Sequence, residues 1–253
     1  MLSPSSIDPV GMDPTAARPW HPIPIVENGE PLLTLPPQLW RLEPHPYVAL
    51  GAPYGPGQSP FQLRSGVVEA LQQAQQLLQE QAPRWRLAIF DGWRPLAVQR
   101  FMVEHTVAQQ CQVQGVDAAI ASPSLEAIVT EVGRFWAAPS PNPCSPPPHS
   151  TGAAVDLTLA TAGGEPLAMG GEIDAIGPIS EPDHYGTLAE LDPSGAEASW
   201  HHRRQVLAAV MGAAGFAQHP NEWWHFSLGD QLWAWRSGHA SAHYGRIGQE
   251  GLD

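Results

Sequence analysis

Lysine is absent from this chain; all twelve basic residues are arginine. That excludes a Schiff-base lysine, a pyridoxal-phosphate anchor and a Walker-type phosphate lysine. Positive charge is scarce in general, with a formal net charge of −13 and no basic cluster. A nucleic acid or an anionic membrane is therefore a poor partner. The two cysteines, Cys111 and Cys144, are too few for a disulfide framework or a cysteine-rich zinc site, although one bridge between them is left open. No apolar run approaches the length of a membrane span. The opening "MLSPSSIDPVGMDP" has neither the basic start nor the apolar core of a signal peptide. The expectation is a soluble cytoplasmic protein.

What is present is a globular composition, 43% apolar over 253 residues, which is ample for a real core. The 28 prolines predict a loop-rich fold. Residues 1–60 read as a Pro/Gly-rich arm packed on the body through Trp20, Trp40 and Tyr47, and residues 61–253 as one catalytic domain. Apolar residues at three- and four-residue steps (Val67, Leu71, Ala74, Leu77, Leu78) predict a helix over Phe61–Pro83. "RWRLAIFDGWRP" reads as a strand, a turn at Asp91-Gly92 and a second helix from Pro95. Further helices are expected from Ser124, as N-cap, to Ala138 and over Trp200–Phe216. "AAVDLTLA" and "NEWWHFSL" read as strands, and the proline-rich Pro139–Pro148 stretch as irregular chain. Helices and strands alternate without a parallel-sheet rhythm, so the fold class is α+β.

Four features carry chemistry. In "HSTGAAVD", His149 stands where the proline-rich loop becomes a strand, and Asp156 lies inside that strand. A buried Asp needs a cationic partner, and without lysine that is a metal or an arginine. The plainer alternative is a loop histidine beside an Asp that accepts backbone amides. In "NEWWHF", Glu222 suits a general base and His225 a metal ligand, against the alternative of a strand edge with a surface Glu. Three residues apart on an ideal strand, the two face opposite ways, so a bulge or twist must bring them together. Arg94 in "DGWRP" could hold a developing oxyanion, or simply pair with Asp91. Asp174 in "MGGEID" says nothing alone. Together, His149, Asp156 and His225 make the three protein ligands of a catalytic zinc, with Glu222 as base and Arg94 for the oxyanion.

The ordered set "DGWRP", "HSTGAAVDLT", "MGGEID" and "EWWHF" resembles the zinc D-alanyl-D-alanine dipeptidases known from vancomycin resistance. The resemblance runs from Gln62 to Leu228 and extends to the tail "ASAHYGRI". It implies a fold shared with D,D-carboxypeptidases and the hedgehog domain: a small antiparallel sheet flanked by helices, carrying one zinc. It also implies zinc ligation by His149, Asp156 and His225, catalysis by Glu222 and Arg94, and Asp174 near the ammonium of a small dipeptide substrate. Pro147 stands where the family usually has a substrate-binding Ser, and Glu104–Pro148 is where an insertion or lid is expected. A D,D- or L,D-carboxypeptidase and a zinc-binding module without catalysis are the competing readings. The sequence leaves the oligomeric state open.

Overall fold

The computed structural model describes residues 18–248. The first seventeen residues of the predicted arm, including the stretch tested for a signal peptide, lie outside the described residues. The arm carries β1 (Leu32–Thr34), β2 (Trp40–Arg41) and the one-turn α1 (Pro46–Ala49). The body then runs β3 (Gln62–Arg64), α2 (Ser65–Gln81), β4 (Trp85–Asp91), α3 (Leu96–Gln114) and α4 (Pro123–Phe135). It continues with β5 (Ala154–Thr161), α5 (Gly186–Leu191), α6 (Ala196–Ala213), β6 (Ala217–Gln218), β7 (His225–Ser227) and α7 (Gln231–Ser237). No described helix is long and apolar enough to cross a membrane.

The α+β class stands, with a five-stranded sheet in the order β2-β4-β5-β7-β6. The sheet is antiparallel except at one edge, where the short β2 runs parallel to β4. The predicted helix over Phe61–Pro83 starts later, because Gln62–Arg64 pairs with β1 as a two-stranded ribbon. The cap of α4 is Ser122, whose side chain accepts from the Leu125 amide, and not Ser124. Pro123 then occupies the first helical position, where a missing N–H costs nothing. Cys111 is buried and Cys144 exposed, and they form no bridge.

Strand β5 explains the layering. Its β-branched and leucine residues are almost wholly buried, so both faces are covered. Val155, Leu157 and Leu159 face the larger core with Val67, Leu71 and Leu78 of α2 and Leu207, Val210 and Met211 of α6. The opposite face meets a second cluster built from α3, α4, Tyr47 and Trp136. Asp156 belongs to that opposite face by the two-residue alternation of a strand.

Register places its neighbour there too. Ile89 pairs with Leu157, but the next pair is Asp91 with Asp156, so β4 carries one extra residue at Phe90. Continued evenly, β4 would turn Asp91 into the apolar core beside Ile89; the bulge re-aims it to the face of Asp156. Phe90 packs instead against the second cluster.

Two buried polar side chains tie the arm to the body. Arg64 donates to the carbonyls of Glu30, Thr151 and Gly245. Gln231 donates to the carbonyls of His21, Ile23 and Cys144, joining arm, proline-rich loop and α7. Gly152, with φ +71°, ends the turn after His149, and a Cβ there would come within 2.5 Å of Leu32 Cδ2. Gly152→Ala is expected to destabilise the protein by about 1–3 kcal/mol. Denaturant unfolding measures this, and an unchanged midpoint would contradict the fit described.

Candidate metal centre

Asp91, Asp156 and His225 form one row across β4, β5 and β7, since Asp156 pairs with both of the others. His149 reaches the row from the short helical turn Pro148–Thr151 that precedes β5. His149 Nε2 lies 3.1 Å from Asp156 Oδ2, His225 Nδ1 lies 3.0 Å from Asp156 Oδ1, and the two imidazole nitrogens are 3.2 Å apart. All three residues are buried.

Hydrogen bonding fixes which ring nitrogens face the cluster. His149 Nδ1 is 2.7 Å from the Gly92 carbonyl, which can only accept, so Nδ1 carries the proton and Nε2 presents a lone pair. Ser227 gives its hydroxyl proton to Asp230 at 2.8 Å, so it can only accept from His225 Nε2 at 3.4 Å. In the neutral imidazole, His225 Nδ1 is then the lone-pair nitrogen. Two imidazole lone pairs and a carboxylate thus converge, an arrangement that calls for a shared proton or a cation. Their separations approach the roughly 3.4 Å expected between ligands of a tetrahedral zinc at about 2.0–2.1 Å bonds. Outer hydrogen bonds that fix the tautomer of each ligating histidine are typical of such sites. The donor set fits a divalent metal. Gly92 is locked in place as well, because a Cβ there would meet the carbonyl oxygens of Pro60 and Gln62 at 2.8 and 3.0 Å.

Glu222 is not on a strand. β7 begins only at His225, and Asn221–Trp224 form a turn. The turn resolves the geometry that an ideal strand forbids, and it brings Glu222 Oε2 to 3.7 Å from His225 Nδ1. Trp223 and Trp224 are buried and anchor the turn, with the Trp223 amide donating to Ser180 and the Trp224 carbonyl accepting from Leu157.

Arg94 is held on several sides. Its guanidinium donates to Asp91 Oδ2 at 2.6 and 2.9 Å and to Gln99, and lies 3.6 Å from Asp156 Oδ2. It also packs over Tyr47 and Trp136. The pairing with Asp91 weighed from sequence therefore exists, and it aims the guanidinium at the cluster. Asp174 has φ +66° and accepts from Tyr47 Oη at 2.6 Å. His149, Asp156, His225, Glu222, Arg94 and Asp174 all line one cavity of about 450 Å³. Its outer wall comes from Trp20 of the arm, from Phe135–Ala138 and from the loop ending Ser145–Pro148, so Pro147 lines it. Much of the Glu104–Pro148 stretch is helix, and its end forms that wall.

Sequence reading assigns no site role to three contributors. Tyr47, His45 and His219 are buried, with His45 Nε2 3.3 Å from Asp91 and His219 Nδ1 3.5 Å from Glu222. His219 had a signal, standing three residues before Glu222; Tyr47 was legible only as a packing residue and His45 not at all, because the arm folds back from far along the chain.

Electrostatics follow burial. Burial pushes the Glu222 carboxyl up to about 8, with Asp156 and Asp174 adding and His225 opposing. Burial, then Asp156, pushes Asp174 up to about 7. Burial opposes ionisation of Asp156, yet His149 and His225 outweigh it and hold the carboxyl well below its ordinary value. Burial likewise would lower His225, and the hydrogen bond and charge of Asp156 hold it above its ordinary value.

A buried site with two imidazoles, a carboxylate and an adjacent second carboxylate is the arrangement of single-metal hydrolases. The family profile described as D-Ala-D-Ala dipeptidase, Peptidase_M15, matches residues 41–243. A D-alanyl-D-alanine dipeptidase of Synechocystis sp. is 43% identical over 243 residues, covering 92% of this chain and 98% of that protein. One from Streptomyces coelicolor is 43% identical over 84 residues, 33% of this chain and 37% of its own. Among solved structures, the LdcB LD-carboxypeptidase aligns over 79% of this chain and 69% of that one, with 15% identity and a TM-score of 0.39, too loose a likeness to carry an argument. The chain belongs to the M15 peptidases, in the D-Ala-D-Ala dipeptidase family.

Two outcomes are expected of the metal-free protein. Glu222 and Asp174 have folded pKa values raised above their ordinary 4.5 and 3.8, so their contribution to stability is complete below those values and is lost as pH rises through about 8 and about 7. Asp156, lowered, contributes above 3.8 and loses its contribution as pH falls below it. The unfolding temperature should therefore decline from pH 5 to pH 8, and a divalent metal should raise it more at pH 8 than at pH 5. Asp91→Asn removes the closest counter-ion of a buried arginine and should lower stability by about 3–5 kcal/mol in denaturant titration.

Proposed function

We propose that this chain hydrolyses D-alanyl-D-alanine or a closely similar D-dipeptide, with one zinc ion held by His149, Asp156 and His225. The observation that carries the reading is the convergence of those three side chains, with Glu222 3.7 Å from His225, inside one small cavity. The closely related dipeptidase of Synechocystis supports the substrate class. When bound, zinc supplies a Lewis acid that polarises the peptide carbonyl and acidifies a water molecule.

The protein's own residues supply the rest. Glu222 accepts the proton of the attacking water and returns it to the leaving amine, which needs a carboxyl that titrates near the working pH. Burial places it there, at about 8 before positive charge at the cluster draws it down. Arg94 presents permanent positive charge to the oxygen on which negative charge develops. Its bonds to Asp91 and Gln99 hold that charge still through the reaction, so little reorganisation accompanies the barrier. Asp174 offers a carboxylate to the ammonium of the substrate. Ionic pairing favours its charged form against the burial that raises it to about 7. Pro147 lines the cavity without a side-chain donor or acceptor, and Ser140 and Ser145 of the same loop line it too. No cysteine or serine is required as a nucleophile.

The test is D-Ala-D-Ala hydrolysis with and without a chelator, and in Glu222→Gln. Chelation is expected to abolish turnover and added zinc to restore it. Glu222→Gln should lose roughly 10²–10⁴-fold in kcat while still binding metal. Full activity after chelation, or in the variant, would overturn the mechanism. Metal binding without hydrolysis of any dipeptide would leave a binding module.

A further inference from the structure

The cavity described above has three arginines on its walls: Arg18, Arg94 and Arg134. Arg94 is shared between Asp91 and Asp156, and Arg134 is paired with Glu131 at the exposed rim. Arg18 differs. Among the described residues no carboxylate forms an ion pair with it, and the charge of Glu222 acts on it. Its guanidinium donates through Nη2 to the Gly133 carbonyl at the end of α4 and lies 5.8 Å from the Trp20 ring. Trp20 in turn packs edge-on against His219, which neighbours both Glu222 and His225. The arm thus carries a half-buried cation to the catalytic end of the cavity.

A free dipeptide brings two charges. Its ammonium suits Asp174, which lines the cavity with Arg94 and is held from behind by the Tyr47 hydroxyl. Its carboxylate lies three bonds beyond the scissile carbonyl, so its partner must stand near the cluster on another wall. In a chain of net charge −13, with Asp156, Asp174 and Glu222 lining the cavity, an unneutralised carboxylate would be repelled. Planar, fork-shaped guanidinium is well suited to a carboxylate. Arg18 retains donors beyond the one spent on Gly133.

We propose that Arg18 binds the C-terminal carboxylate of the substrate and so makes the N-terminal arm a specificity element of the site. The inference rests on the dipeptidase reading and adds to it the group that recognises a free carboxyl end. Selectivity for free acids over blocked ones follows from this one contact. Arg94 remains on the carbonyl, because its position is set by Asp91.

The experiment compares D-Ala-D-Ala with its C-terminal amide in the zinc-loaded wild type, Arg18→Gln and Arg18→Lys. The wild type should favour the acid by roughly 10–100-fold in kcat/KM, the discrimination that a charge-assisted hydrogen bond supplies. Arg18→Gln should lose most of that preference, chiefly through a higher KM for the acid, and far less on the amide. Arg18→Lys should keep part of it. A preference in Arg18→Gln equal to that of the wild type, or an equal loss on both substrates, overturns the assignment and marks a structural role. Unfolding curves show that the variants are folded, and Arg18→Lys carries the comparison if the glutamine variant is not. A wild type that hydrolyses neither substrate brings down the dipeptidase reading and this inference together; an active wild type with an unchanged ratio removes Arg18 alone.

Discussion

Two carboxylates, Asp91 and Asp156, stand side by side on adjacent strands with almost no exposure to water. Unpaired, each would be expelled or neutralised by protonation. The structure accommodates both by placing Arg94 between them, hydrogen-bonded to Asp91 and within 3.6 Å of Asp156. One guanidinium cannot balance two carboxylates, so the remaining charge of Asp156 is turned toward His149 and His225. The row therefore does two things at once. It immobilises a guanidinium beside the His149–Asp156–His225 cluster, and it leaves a negative pocket into which a divalent ion fits.

The β-bulge at Phe90 is the backbone device behind this row. Without the extra residue, Asp91 would point into the leucine-rich layer beneath the sheet. With it, the carboxylate, the arginine that follows on the next turn and the carbonyl of Gly92 all address the same face. Gly92 then orients His149 from 57 positions away in sequence. A shift of this turn would disturb both Arg94 and His149, which is why the close backbone packing around Gly92 matters.

Closure of the cavity comes from elements remote from the sheet. Gln231 holds arm, proline-rich loop and α7 together through three backbone carbonyls, and Arg64 does the same for the arm, the His149 turn and the tail. These long-range polar ties fix the outer wall without a disulfide. A walled site built from buried groups raises the worth of each charge within it.

Much of this was legible in the sequence, element by element. The spacing of Val67, Leu71, Ala74 and Leu78 marks the buried face of α2, and the branched residues of β5 mark a strand covered on both sides. Asp156 stood out because an acid inside such a strand demands a cation. The boundaries were less legible: Gln62–Arg64 has no local signature that separates it from the helix, since only its pairing with β1 makes it a strand. Ser124 reads as the cap of α4, yet Pro123 suits the first helical position and leaves Ser122 as the cap. "NEWW" carries strand-forming aromatics, yet contacts to Ser180 and Leu157 bend it into the turn that aims Glu222.

The sequence by itself determined the chemical inventory: no lysine, an acid in an apolar strand, and an Arg, a Glu and two His in ordered motifs. These are properties of residue type and short-range spacing, which local physics constrains. Only the tertiary structure decided that Asp91, Asp156 and His225 share one row, that Glu222 and His225 face a common point, and that Arg18 and Trp20 of the arm reach the same cavity. Register, bulge and long-range docking set those positions, and they arise from the packing of segments that are strangers to one another in sequence.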